Sequence, residues 1–140
     1  MHALIIEDEF LIAVALEDML GELGYRTFDW AATEEEAISA VKRGRPDLIT
    51  ADIQLREGNG VSAIAEINRE NPGIPTIFIT ANDGVVANVK GAVVLSKPVR
   101  HAELRQAVAK SSKHREEGPL ELPSRSELAK LICDFQVASR

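Results

Sequence analysis

The chain has 140 residues, 45% hydrophobic and 27% charged, which is the balance of one ordinary globular domain rather than a disordered or fibrous protein. Its formal charge is -6. Residues 1–110 hold 11 Lys+Arg against 17 Asp+Glu and residues 111–140 hold 5 of each, so the first part is acidic and the tail neutral. Without a clustered basic stripe there is nothing to neutralise phosphates, which argues against nucleic acid or an anionic membrane as partner. The single cysteine, Cys133, excludes an internal disulfide and a cysteine metal cluster. The apolar start Met1–Ile6 is cut off by Glu7, Asp8 and Glu9, too soon for a signal peptide, and the reading is of a cytoplasmic protein.

Strand and helix patterns then alternate. Ala3-Leu4-Ile5-Ile6 is a short apolar run, expected as a strand buried on both faces. Phe10, Leu11, Val14, Leu16, Leu20 and Leu23 follow at largely helical spacing, and Gly24 ends that helix. Arg26 to Trp30 reads as a second strand. Thr33-Glu34-Glu35-Glu36 has the form of a capping box, opening a helix to about Arg43. After Pro46, residues 47–51 make a third strand ending at Asp52, and a loop through Gly58 and Gly60 leads to a helix over Val61–Arg69. Asn71-Pro72-Gly73 is a turn, and Thr76–Ile79 a fourth strand ending at Thr80. Residues 82–91 are only weakly periodic; Val93–Leu95 is a fifth strand, Pro98 breaks it, and His101–Lys113 is a helix.

Five strands alternating with helices, at spacings too long for hairpins, imply an α/β fold: a doubly wound parallel sheet with helices on both faces. The expected organisation is a domain over 1–113, a linker over 114–123, and an amphipathic C-terminal helix over 124–140 with Leu128, Leu131, Ile132 and Phe135 on one stripe. A helix that short must pack on something to persist, either its own domain, a second copy or a partner. His2, His101 and His114 lack metal spacing, and Trp30 is expected to pack at a strand end.

Open parallel sheets bind ligands beyond the carboxyl ends of their strands. There the chain places Glu7 and Asp8 after strand one, Asp52 after strand three, Thr80 after strand four and Lys97 after strand five. Any one of these has an ordinary explanation as a helix N-terminal charge, a cap or a turn residue. Together they form a site. Two carboxylates about 4 Å apart repel by about 4 kcal/mol at an effective dielectric near 20, so three of them require a cation to ionise fully. Oxygen ligands suit a hard divalent ion such as Mg2+ or Mn2+. Asp52 would then be a carboxylate nucleophile toward phosphorus, with the ion and Lys97 stabilising phosphoryl charge and Thr80 donating a hydrogen bond.

These residues resemble the receiver domain of two-component response regulators. Leu4-Ile5-Ile6-Glu7-Asp8-Glu9 is similar to the family's first strand and acidic pair, and Asp52-Ile53-Gln54-Leu55 with Gly58 and Gly60 to its phosphoacceptor strand and loop. Thr80-Ala81 and Lys97-Pro98 are similar to its two remaining signatures, and the resemblance covers about residues 1–113. It implies a flavodoxin-like fold, phosphorylation of Asp52 by a histidine kinase or a histidine phosphotransfer protein, and Mg2+ held by Glu7, Asp8, Asp52 and the backbone carbonyl of Gln54. Beyond self-phosphorylation and slow self-dephosphorylation at Asp52, no enzyme activity is implied. About thirty residues beyond the receiver are too few for a DNA-binding output domain, so the output implied is protein contact, pairing of two copies or onward phosphotransfer.

The chain departs from the family at Val94, where many receivers carry an aromatic residue. The stretch from Thr80 to Lys97 is short and resembles the FAT GUY receiver subfamily, although Asn82 stands near that motif's Gly-Tyr. The expectation is that phosphorylation orders residues 82–92 rather than rotating an aromatic. Three rival classes remain. A pseudo-receiver, binding without phosphorylation, usually lacks the acceptor, an acid or the lysine, all present here. An aspartyl-phosphate phosphatase resembles Asp-x-Asp where this chain has Gln54. A flavin binder has neither its phosphate loop nor its flanking aromatics.

Overall fold

The computed structural model describes residues 1–81 and 92–116, with side chains through 113. The expectations for residues 82–91 and for the C-terminal helix over 124–140 lie outside the described residues. Nine elements follow in the order β1 His2–Ile6, α1 Phe10–Glu22, β2 Thr27–Ala31, α2 Glu34–Arg43, β3 Leu48–Asp52, α3 Gly60–Glu70, β4 Thr76–Thr80, β5 Val93–Ser96 and α4 His101–Glu116. The strands form one parallel sheet in the order β2-β1-β3-β4-β5, so the chain starts near the middle and winds outward in both directions.

Burial explains the sequence of each strand. The central strands β3 and β4 are buried at every residue, and apart from Asp52 they are apolar or threonine. Edge strand β2 is buried only at Ala31, and it carries the polar Thr27 and Asp29. Alternate residues supply two cores. Leu4, Ile6, Ile49, Ala51 and Phe78 pack under α2 and α3, while Ala3, Ile5, Leu48, Ile77 and Ile79 pack under α1 and α4.

Helix ends are set by local chemistry. Thr33 Oγ1 accepts from the Glu36 amide at 3.1 Å, and Glu36 Oε2 accepts from the Ala32 amide at 3.3 Å, one residue before the position a reciprocal capping box uses. Asn59 caps α3 by accepting from the Ser62 amide at 2.8 Å, which starts the helix at Gly60 rather than at Val61. Gly24, at φ +105°, closes α1 while the Tyr25 amide donates to the Leu20 carbonyl. Helix α4 runs to Glu116, three residues past its expected end, because nothing in Lys113-His114-Arg115-Glu116 breaks a helix.

The helix read over this stretch is present, and Phe10, Leu11 and Val14 lie outside its buried stripe. Ala13, Leu16 and Leu20 form it, with Ile12, Met19 and Leu23 packed beside them. At 3.6 residues per turn, Leu11 and Val14 stand roughly 140–160° around the helix from Leu16. Leu11 is 80% exposed and Phe10 67%. Trp30 does pack at its strand end, edge-on to Phe10 with ring centroids 5.5 Å apart, yet stays 39% exposed.

Candidate phosphoacceptor and metal site

The register of the parallel sheet puts the polar strand ends on one edge. Ala51 of β3 pairs with Ile6, so Glu7 and Asp52 emerge side by side, and β4 and β5 end alongside with Thr80 paired to Ser96. Glu7 and Asp52 are each only 4% exposed, and Thr80 only 2%. Buried carboxylates of this kind are rare without partners.

The partners are present. One ligand oxygen each of Glu7, Asp8 and Asp52 lies within 4.8 Å of the others. The Lys97 ammonium donates to Asp52 Oδ2 at 2.8 Å and stands 3.6 Å from Glu7 Oε2. Lys97 is placed by its own amide, which donates to the Thr80 carbonyl at 2.9 Å. Asp52 Oδ1 accepts from the Gln54 amide at 3.1 Å, which fixes the carboxylate on the loop after β3. Thus Glu7, Asp8, Asp52 and Lys97 are brought together directly; Thr80 ends the neighbouring strand, and Gln54 meets Asp52 through its backbone.

Electrostatics follow from that crowding. Burial, reinforced by the charge of Asp52, pushes the Glu7 carboxyl up to about 8, with Lys97 pulling the other way. Burial alone would lower Lys97, but the hydrogen bond to Asp52 and the charges of Asp52 and Glu7 outweigh it and hold the ammonium above its ordinary value. Glu7 Oε2 is buried without a hydrogen-bond partner among the described residues. A hard cation fits this donor set: three carboxylates within ligand-sharing distance, and one buried oxygen left unsatisfied.

Three supports were not legible beforehand. The Arg56 amide donates to Asp8 Oδ2 at 2.7 Å, whereas the Arg56 guanidinium is 3.9 Å away and largely in solvent. Glu34, read only as part of a capping box, accepts from the Asn59 amide at 2.9 Å and lies where a Cβ on Gly58 (φ +86°) would be. A Cβ on Gly60 would run into the Asp52 carbonyl, so glycine lets α3 begin against the acceptor strand. Backbone donors leave no mark in a sequence; the two glycines were the available signal.

Val94, the position without an aromatic, is half-buried and pairs with the fully buried Phe78 of β4. No helix of the described residues is long and apolar enough to cross a membrane.

Comparison with known proteins agrees with this geometry. Chemotaxis protein CheY of Thermotoga maritima is 30% identical over 119 residues, covering 80% of this chain and 98% of CheY. Phyllosphere-induced regulator PhyR of Methylorubrum extorquens is 45% identical over 80 residues, covering 56% of this chain and 30% of PhyR. The solution structure of the PhyR receiver domain from Erythrobacter litoralis superposes with a TM-score of 0.69 at 33% identity, covering 79% of this chain and 88% of that one. Against longer regulators the chain spans about half the relative's length or less, 51% in one case and 30% in PhyR. Residues 3–109 match the response regulator receiver domain, and with the five-stranded sheet and its acidic edge they show that the chain belongs to that family of two-component signalling domains.

Proposed function

We propose that the chain accepts a phosphoryl group on Asp52 from a histidine kinase or histidine phosphotransfer protein, and signals through protein contact or onward transfer. The observation that carries this reading is the contact of Lys97 with Asp52, at 2.8 Å, inside a cluster of three carboxylates. An Asp52 carboxylate oxygen forms the new O–P bond as the donor's P–N bond breaks, and the electron pair returns to the donor imidazole. Lys97 is already in place for charge on the phosphoryl oxygens, and Thr80 supplies a hydroxyl at the end of the next strand. Glu7, Asp8, Asp52 and the Gln54 carbonyl are the proposed holders of Mg2+. When bound, that ion neutralises the acids and the transferring group.

The proposed output by protein contact draws support from the likeness to PhyR, one of whose structures, from Bartonella quintana, is described as an anti-anti-sigma factor. Within the described residues, nothing required for phosphorylation is missing, which favours a working receiver over a pseudo-receiver. Intact-mass spectrometry after incubation with acetyl phosphate and Mg2+ tests the reading. One phosphoryl group is expected, absent in Asp52→Ala and after chelation. A folded protein that gains none and does not bind beryllofluoride would be a pseudo-receiver.

A further inference from the structure

The loop that follows the acceptor strand is held from two sides. At its base the Gly60 amide donates to the Ile53 carbonyl at 3.0 Å, and Gln54 faces Asn59 across it in an isolated antiparallel bridge. Toward the acidic edge, the Gln54 amide donates to Asp52 Oδ1 at 3.1 Å and the Arg56 amide to Asp8 Oδ2 at 2.7 Å. The other side is held by α2. Glu34, in the first turn of that helix, reaches out of it and accepts from the Asn59 amide at 2.9 Å. Capping of α2 is left to Thr33, which accepts from the Glu36 amide. Thr33 and Glu57 form a parallel bridge at the same place, and a Cβ on Gly58 would fall 2.6 to 2.7 Å from Oε1, Cδ and Cγ of Glu34.

We propose that Glu34 is a positioning residue for the phosphoacceptor site, holding the loop in the shape that presents the Gln54 carbonyl and the Gln54 and Arg56 amides to it. The inference rests on the reading of this edge as a Mg2+ and phosphoryl site. Glu34 is not among the acids clustered there, so it acts only through the loop. The path is short. Glu34 fixes Asn59, Asn59 stands opposite Gln54, and the Gln54 amide meets Asp52. Packing alone holds this loop weakly, because from Gln54 to Gly58 only Leu55 is buried. Polar ties therefore decide its shape, and groups that orient the holders of a metal ion set its affinity strongly. What the loop needs from position 34 is an oxygen acceptor of the right reach, not a charge.

Calorimetric titration of the full chain with Mg2+ would compare wild type, Glu34→Ala, Glu34→Gln, Glu34→Asp and Glu36→Ala, each checked for folding by circular dichroism. Glu34→Ala should weaken Mg2+ binding about tenfold. Glu34→Gln keeps an oxygen of the same reach and should stay within about twofold of wild type. Glu34→Asp keeps the charge but is one methylene short, so it should bind as weakly as alanine; it also serves if the alanine variant does not fold. Glu36→Ala removes an acid and a hydrogen bond from the same turn of α2 without touching the loop, and should leave the affinity unchanged. That control separates placement of the loop from stability of the helix. Wild-type affinity in Glu34→Ala and Glu34→Asp would overturn the inference. So would Glu34→Gln as weak as alanine, since charge rather than placement would then be acting. A wild type that binds no Mg2+ would instead overturn the reading of the site itself, and the inference with it.

Discussion

The carboxyl edge of the sheet and the outer flank of α1 break the same rule in opposite directions. At the edge, Glu7 and Asp52 are ionisable groups in the interior; on the flank, Phe10 and Leu11 are apolar groups in solvent. Neither arrangement helps the domain fold by itself. The edge concentrates negative charge that one lysine offsets only in part, and the flank forgoes about 25 cal/mol for each Å2 of apolar surface it leaves wet. Departures of this kind mark where a protein meets something else, which at the edge would be the proposed cation and phosphoryl group.

The comparison can be broken first inside α1. Leu16→Ala should cost about 3 kcal/mol by denaturant unfolding, as expected for a fully buried leucine. A cost below about 1 kcal/mol would mean that the helix faces the core differently. At the edge, Lys97→Met should lower the rate of phosphorylation by acetyl phosphate about 100-fold, the usual effect of removing one charge-stabilising donor. A rate within about threefold of wild type would assign the lysine to structure alone.

A smaller effect concerns Glu7 and pH. Its carboxyl titrates near 8 in the folded protein against an ordinary value of 4.5, so the folded state holds a proton that the unfolded state has lost. The stabilisation is complete below about 4.5 and is lost as pH rises toward 8. In chelator, wild type should therefore lose stability relative to Glu7→Gln between pH 5 and 8, by on the order of 3 kcal/mol. A pH-independent difference would contradict the burial argument. Added Mg2+ should flatten the wild-type slope by replacing the proton.

The smallest change separates backbone from side chain. Arg56→Ala should leave stability within about 0.5 kcal/mol and Mg2+ affinity nearly unchanged, because the amide rather than the guanidinium holds Asp8. Arg56→Pro, which removes that amide, should weaken Mg2+ binding clearly. Equal behaviour of the two variants in calorimetric titration would show that the amide is dispensable.

Much of this was readable in the residues. β3 and β4 are continuous apolar runs closed by Pro and Gly punctuation, and a parallel sheet makes their ends converge whatever the details of packing. That is why Glu7, Asp8, Asp52, Thr80 and Lys97 could be placed on one edge from order alone. The facing of α1 was not legible, since Phe10-Leu11-Ile12-Ala13-Val14-Ala15-Leu16 is apolar all the way round and periodicity cannot choose a side. Boundaries drifted by one residue at Asn59, where a cap decided the start, and by three beyond Lys113, where nothing breaks the helix. The Glu34 and Arg56 contacts were invisible because each engages a backbone amide, which every residue but proline carries.

The central claim is that Asp52 itself takes the phosphoryl group. Borohydride reduces an acyl phosphate to an alcohol, so the phosphorylated chain can be reduced, digested and sequenced. Homoserine at position 52 is the predicted result; reduction at Glu7 or Asp8 instead, or none in a chain that carries phosphate, would contradict it.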